Sequence, residues 1–159
     1  MKLTFISDTH DKHNFIKVEP TDFLFHTGDA TTKGTLTQVK SFLSWFEKQP
    51  AKYKIYVAGN HDWLFQKDPQ AAKMLLSEHP DVIYLQDASI TLEGLRIYGS
   101  PWQPWFYDWA FNANSDKLFL LWDKIPGNTD ILLTHGPPHD ILDLTKRNDK
   151  VGCEILKQI

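Results

Sequence analysis

The amino-acid sequence predicts an α/β domain, and three observations carry that prediction. Apolar runs of strand length alternate with segments whose apolar residues recur at helical spacing. The strongest apolar runs end in polar clusters, so buried strands emerge where chemistry-bearing residues begin. No repeat, linker or low-complexity stretch divides the 159 residues, which suits one domain over 1–159 with a substantial core.

The first strand is predicted at 2–7, "KLTFIS", and runs into "DTHD"; the second, 22–27 "DFLFHT", ends at Gly28-Asp29. From 35 to 49, Leu36, Val39, Leu43 and Phe46 return at helical spacing until Pro50 stops the run. A third strand, "YKIYVA" at 53–58, ends at "GNHD". Asp68-Pro69 supplies an N-cap and a first-turn proline for a helix with Ala72, Leu75, Leu76 and His79 on its apolar stripe. "DVIYLQD" and "ITLEGLRIYGS" read as two strands, expected as antiparallel neighbours. Residues 115–125 read as a helix capped by Ser115, with Gly127 past its end. "TDILLTHG" at 129–136 is a further buried strand, and "VGCEILKQI" reads as an amphipathic helix with Val151, Ile155 and Ile159 on one face.

Composition removes several classes. Hydrophobic content of 42% and charged content of 23% are those of a globular protein in water. The apolar runs are too short to span a membrane, and Leu3–Ile6 behind Lys2 is too short for a secretory core. One cysteine, Cys153, excludes an internal disulfide and a thiolate zinc site, and fits a reducing cytoplasm. A net charge of −3 without a Lys/Arg cluster argues against a scaffold that holds nucleic acid by neutralising phosphates. Divalent cations can still bring an anionic substrate to an acidic protein.

Four strand ends carry the chemistry. Asp8 and His10, two residues apart, project to the same side of an extended backbone and offer a carboxylate and an imidazole. Gly28 permits a tight exit, and Asp29 supplies an oxygen that can bridge two cations, although each is also ordinary turn chemistry. In "GNHD", Asn60 offers a neutral amide oxygen, His61 can donate a proton to a leaving group, and Asp62 can orient a nearby histidine. Taken alone, that tetrapeptide reads equally well as an Asn-rich turn. His135 closes the fourth strand.

In this order, "DTH", "GD", "GNHD" and a late strand-ending histidine resemble the calcineurin-like metallophosphoesterase superfamily. The blocks "HTGDATTKG", "YKIYVAGNHD", "YGSPWQPWFYDWAFN", "LLTHGPP" and "VGCEIL" are similar to its small metallophosphoesterase-domain phosphodiesterases, over nearly the whole chain. The resemblance implies a four-layer αββα sandwich of two mixed sheets face to face with helices outside. It implies a dinuclear metal centre that hydrolyses phosphate esters, and with the motif-bearing strand ends the expected activity is a phosphodiesterase on small phosphodiesters, cyclic nucleotides among them. Asp8, His10 and Asp29 match the ligands of one metal, and Asp29, Asn60 and His135 those of the other. His61 matches the residue that assists the leaving group. Asn60, His61 and, at the site entrance, His13 are expected to meet substrate, with Asp62 beside them. Two cations about 3.5–4 Å apart activate water and polarise phosphoryl oxygens for in-line attack. Nitrogen and oxygen ligands without thiolate suit Mn2+, Fe2+ or Zn2+.

One departure stands out. Family members carry a later Gly-His-x-His block that adds one histidine to each metal, and no such block precedes Ile159. Three protein ligands per metal, reduced activity, a C-terminally shortened second sheet and an exposed apolar edge open to a second copy are therefore expected. A truncated enzyme and a natural short form both fit. A catalytically impaired metal-binding or interaction module and a phosphomonoesterase of the same fold are the alternatives. His139 reads as an exposed loop histidine, His26 as a packed core residue and His79 as a helix-end residue. The block "PWQPWFYDWAF" leaves two readings open, core packing under a long loop and stacking on a nucleobase.

Overall fold

The computed structural model describes residues 1–159 throughout. Strands β1 (Leu3–Ile6), β2 (Thr21–Thr27), β3 (Ala51–Val57) and β4 (Val82–Tyr84) form one sheet in that order. All its neighbours are parallel. Strands β5 (Ala88–Leu92), β6 (Leu95–Ser100) and β9 (Ile131–Thr134) form a second sheet, antiparallel between β5 and β6 and parallel between β6 and β9. A two-residue pair, β7 (Gln103–Pro104) and β8 (Asn112–Ala113), closes the base of the long aromatic loop.

Helix α1 (Leu36–Phe46) follows β2; α2 (Leu64–Lys67) and α3 (Pro69–Ser77) follow β3. Helix α4 (Ser115–Trp122) lies in the crossover from β6 to β9. The central strands are buried on both faces, as parallel strands require. Phe23 and Phe25 of β2 point between the sheets, where they meet Ile55, Val57, Leu85, Ile97 and Leu133. Leu24 and Tyr56 point the other way, into a cluster with Val39, Phe42, Leu43 and Phe46 of α1 and Ala72 and Leu75 of α3. Each such side chain contributes roughly 1.5–3 kcal/mol on burial. Because the inner face of the second sheet is taken by the first, the crossover carrying α4 lies outside, where Leu118, Leu121 and Trp122 pack on Cys153 and Leu156. The expected layering of helices, two sheets and helices is present, with α1 and α3 on one outside and α4 on the other.

Several local expectations change. The first sheet is parallel throughout where a mixed sheet was implied, because β4 returns beside β3 after the α3 crossover. The strand from "DVIYLQD" is thus no partner of the next one. The antiparallel hairpin lies inside "ITLEGLRIYGS", at Glu93 and Gly94, whose φ values of 51° and 81° make the left-handed two-residue turn that hairpins favour. Helix α1 is capped by Thr35 with a reciprocal bond from Gln38 and ends at Phe46, well before Pro50; α4 is capped by Asn114, not Ser115. Asp68 caps α3 as expected. The tail is no helix beyond a single 3-10 turn at Leu156–Gln158. Its chain bridges Pro138 to Cys153 instead, and the buried residues are Cys153 and Leu156, while Val151 and Ile159 are exposed. No helix is long and apolar enough to cross a membrane. The edge strands β1 and β9 leave Leu3, Phe5 and Leu132 exposed.

Candidate metal centre

The residues that leave β1 and β2 run side by side, locked by the amides of Asp8, His10 and Asp11 donating to the carbonyls of Gly28, Asp29 and Ala30 at 2.9–3.0 Å. Asp8, His10, Asp11 and Asp29 all have positive φ, between 41° and 64°. The extended backbone expected for "DTH" is therefore absent; Asp8 and His10 reach one centre because the chain turns left-handed there. Such a conformation costs of order 1–3 kcal/mol per non-glycine residue and persists only where surrounding bonds hold it.

Asp29 is the hub. It is 4% exposed, its Oδ1 accepts the His61 amide at 2.8 Å, and three imidazole Nε2 atoms face its carboxylate. His135 lies 3.5 Å from Oδ1, and His10 and His61 lie 3.7 and 3.9 Å from Oδ2. Each of these rings turns its Nδ1 to a main-chain carbonyl: His10 to Thr31 at 3.3 Å, His61 to Thr32 at 2.7 Å, His135 to Thr27 at 2.9 Å. A carbonyl only accepts, so each Nδ1 carries hydrogen and each Nε2 is left to face the carboxylate, the orientation a ligating histidine needs.

The ligand atoms of His10, Asp29 and His61 lie within 4.8 Å of one another, as do those of Asp8, Asp29 and His135. Asp29 belongs to both groups, as a bridging carboxylate would. Asp8 groups with His135 and its Oδ1 also lies 4.0 Å from His10 Nε2, while His61 joins His10. Asn60 does reach the centre, its amide oxygen accepting from His135 Nε2 at 3.0 Å. Burial pushes the His135 imidazole down, but the Asp29 carboxylate outweighs it and raises the pKa to about 9. Burial alone would raise Asp29; the N–H groups of His135 and His61 hold it below the usual carboxylate range. Oxygen atoms that draw a proton onto His135 would draw a divalent cation equally, so carboxylates, imidazoles and an amide without thiolate fit hard-to-borderline divalent metals.

Two glycines let the loops close. A Cβ on Gly28 would lie 2.5 Å from His135 Nδ1, and one on Gly59 would lie 2.3 Å from both the amide and Oδ1 of Asp29. Asp62 does not touch a histidine. Fully buried, it accepts from the amides of Ala30, Thr31 and Gly59 and from the Thr31 hydroxyl at 2.7–3.2 Å, which pins the β2 and β3 loops together. Burial pushes its carboxyl up, against those bonds. Its expected role beside a catalytic histidine is replaced by bracing, for which the signal was a buried acid opposite unpaired loop amides.

His13 is 1% exposed and packs on Phe42 and Trp45 with Nε2 near Ser41, so it sits beneath α1 and not at a site entrance. A short 3-10 turn at His13–Phe15 swings it inward. His26 is a core residue, His79 pairs with Glu47 at 2.9 Å, and His139 faces Asp140 at 3.2 Å. The aromatic block divides: Phe111 is core, Trp102 packs against it, and Trp105, Phe106 and Tyr107 are exposed. A cleft of about 590 Å³ reaches from Asp8 and His135 to Trp105 and Phe106, and another of about 550 Å³ is lined by Trp63, Lys67, Tyr107, Asp108 and Trp109.

A family profile for the calcineurin-like phosphoesterases matches residues 1–159. The chain belongs to the calcineurin-like phosphoesterases. Within that family it is 40% identical to the human metallophosphoesterase domain-containing protein 1, across 97% of this chain and 54% of that protein. It is 32% identical to UPF0046 protein T07D4.2 of Caenorhabditis elegans, across 97% of this chain and 46% of that one. The chain thus spans about half the length of the curated relatives it matches. A solved structure, TT1561 of Thermus thermophilus, shares the fold with a TM-score of 0.65 at 16% identity, over 98% of this chain and 74% of that one. The calcineurin-like phosphoesterases are metal-dependent phosphoric ester hydrolases, and the cluster around Asp29 supplies candidate metal ligands of the kind they use.

Proposed function

We propose that this chain is a metal-dependent phosphodiesterase domain that acts on small phosphodiesters, cyclic nucleotides among them. The observation that carries the reading is the convergence of four strand ends on Asp29, with three imidazole Nε2 atoms turned toward it. Asp8, His10 and Asp29 would hold one divalent cation and Asp29, Asn60 and His135 a second, Mn2+, Fe2+ or Zn2+. Bound cations supply charge neutralisation at phosphoryl oxygens and a lowered pKa for attacking water. The remaining work falls to side chains. His61, fixed through Nδ1 by the Thr32 carbonyl, presents Nε2 to the departing oxygen and, with both ring nitrogens protonated, delivers the Nε2 proton there. Asn60 is oriented by His135 to meet a phosphoryl oxygen, and Asp62 keeps the segment that carries Asn60 and His61 in register with Asp29.

Hydrolysis of bis-p-nitrophenyl phosphate and of a 2′,3′-cyclic nucleotide panel with added Mn2+ tests this. Turnover lost in a His61→Ala variant supports it; no turnover above that control overturns it. The exposed edges at β1 and β9 favour a second copy of the chain as partner, which size-exclusion chromatography at two concentrations checks.

A further inference from the structure

Trp109 has no place in the core, and it is the one member of the aromatic block that meets the metal-centre cluster through its ring: its centroid is 4.0 Å from that of His61, at 33° between planes. The loop bearing it is fastened to the same segment, since the Ala110 amide donates to the Asn60 carbonyl at 3.1 Å. The Phe111 amide donates to Gln66 Oε1 at 2.9 Å, and the Asn112 side chain donates back to the carbonyls of Phe106 and Tyr107 at 3.1 and 2.7 Å. Four contacts therefore restrain the His61 ring: Thr32 at Nδ1, Asp29 at 3.9 Å from Nε2, His10 edge-on at 4.8 Å, and Trp109 across its face. Only the last comes from beyond the loops of the first sheet.

We propose that Trp109 is a positioning residue for His61, holding its Nε2 in line with the departing oxygen. This rests on the reading of His61 as the leaving-group residue. Proton delivery to a poor leaving group needs that alignment, whereas a good leaving group departs with little help. Removing Trp109 therefore selects between substrates by the basicity of their leaving oxygen. It does so without changing how either is bound.

The test compares Trp109→Leu and Trp109→Phe with the parent on methyl p-nitrophenyl phosphate and methyl phenyl phosphate, with Mn2+ added. In Trp109→Leu, kcat for the phenyl ester is expected to fall roughly ten-fold more than for the p-nitrophenyl ester, with KM unchanged. Trp109→Phe, which keeps an aromatic face, is expected to restore most of the loss. A long-range nitrogen–proton NMR spectrum of the His61 ring, recorded without metal, is expected to show exchange between ring orientations in Trp109→Leu only. An equal fall for both esters, a rise in KM with kcat intact, or an unchanged His61 spectrum overturns the proposal. Absence of turnover in the parent would instead sink the proposed function, while the NMR comparison would still decide the contact.

Discussion

The loops at 8–13 and 28–32 and the segment from 136 to 159 are both irregular, yet they are held by opposite means. The first pair is stitched to its neighbour by main-chain bonds, built on parallel strands buried on both faces, and braced from within by Asp62. The main-chain bonds of the second run within the segment itself, from Cys153 to Pro137, His139 to Cys153 and Val151 to Asp143. Its anchors to the rest are the packing of Cys153 and Leu156 against Trp122, and its exposed surface is gathered around Asp140, which contacts Lys150 and Lys157. One region cannot shift without costing the core. The other can open locally at little cost, and His135 stands at their junction.

The largest expected effect comes from removing the brace. Asp62→Ala strips four buried donors of their acceptor and is expected to cost about 3 kcal/mol or more, read from urea unfolding, and to lower turnover together with stability. A variant as stable as the parent would erase the contrast between the regions. The next concerns His26, fully buried between Phe42 and Tyr56 with its Nε2 on the Thr9 hydroxyl beneath the same loops. Burial holds its pKa down at about 3. Below the unfolded value of about 6.5, the unfolded chain takes a proton that the folded one refuses. Stability is therefore whole above that pH and is lost on acidification toward pH 3, with a slope of up to about 1.4 kcal/mol per pH unit. Urea midpoints between pH 7 and 4 should fall less steeply in His26→Gln than in the parent. The smallest effect belongs to Asp140, an exposed carboxyl held well below its usual range by the adjacent Lys150 and Lys157. Asp140→Asn is expected to speed hydrogen exchange across 137–157 and to leave turnover within about two-fold, since solvent-exposed ion pairs contribute little.

Much of the first region was legible in the sequence. Strand ends, helical spacing in α1 and the Asp68 cap of α3 are local signals, and they led to Asp8, His10, Asp29, Asn60, His61 and His135, all of which meet around one carboxylate. Pairing was harder to read. Three residues of β4 cannot announce that their partner is β3, because register is decided by crossovers and by which face is buried. The tail carries helical periodicity, but Gly152, whose Cβ position is closed off by the Pro138 carbonyl and His139 at 2.4–2.6 Å, lets the chain close against Pro138 instead. Asp62 and His13 were misread for one reason. Neither burial nor facing loop amides can be seen in a few residues of sequence, and both residues serve the scaffold.

The carbonyls of Thr27, Thr31 and Thr32, which hold the Nδ1 atoms of His135, His10 and His61, are main-chain atoms. Any amino acid at those positions presents the same oxygen. The Nδ1 tautomer of all three rings is thus inherited from chain path, whatever side chains stand at positions 27, 31 and 32. A change that bends the backbone there would release all three tautomers at once.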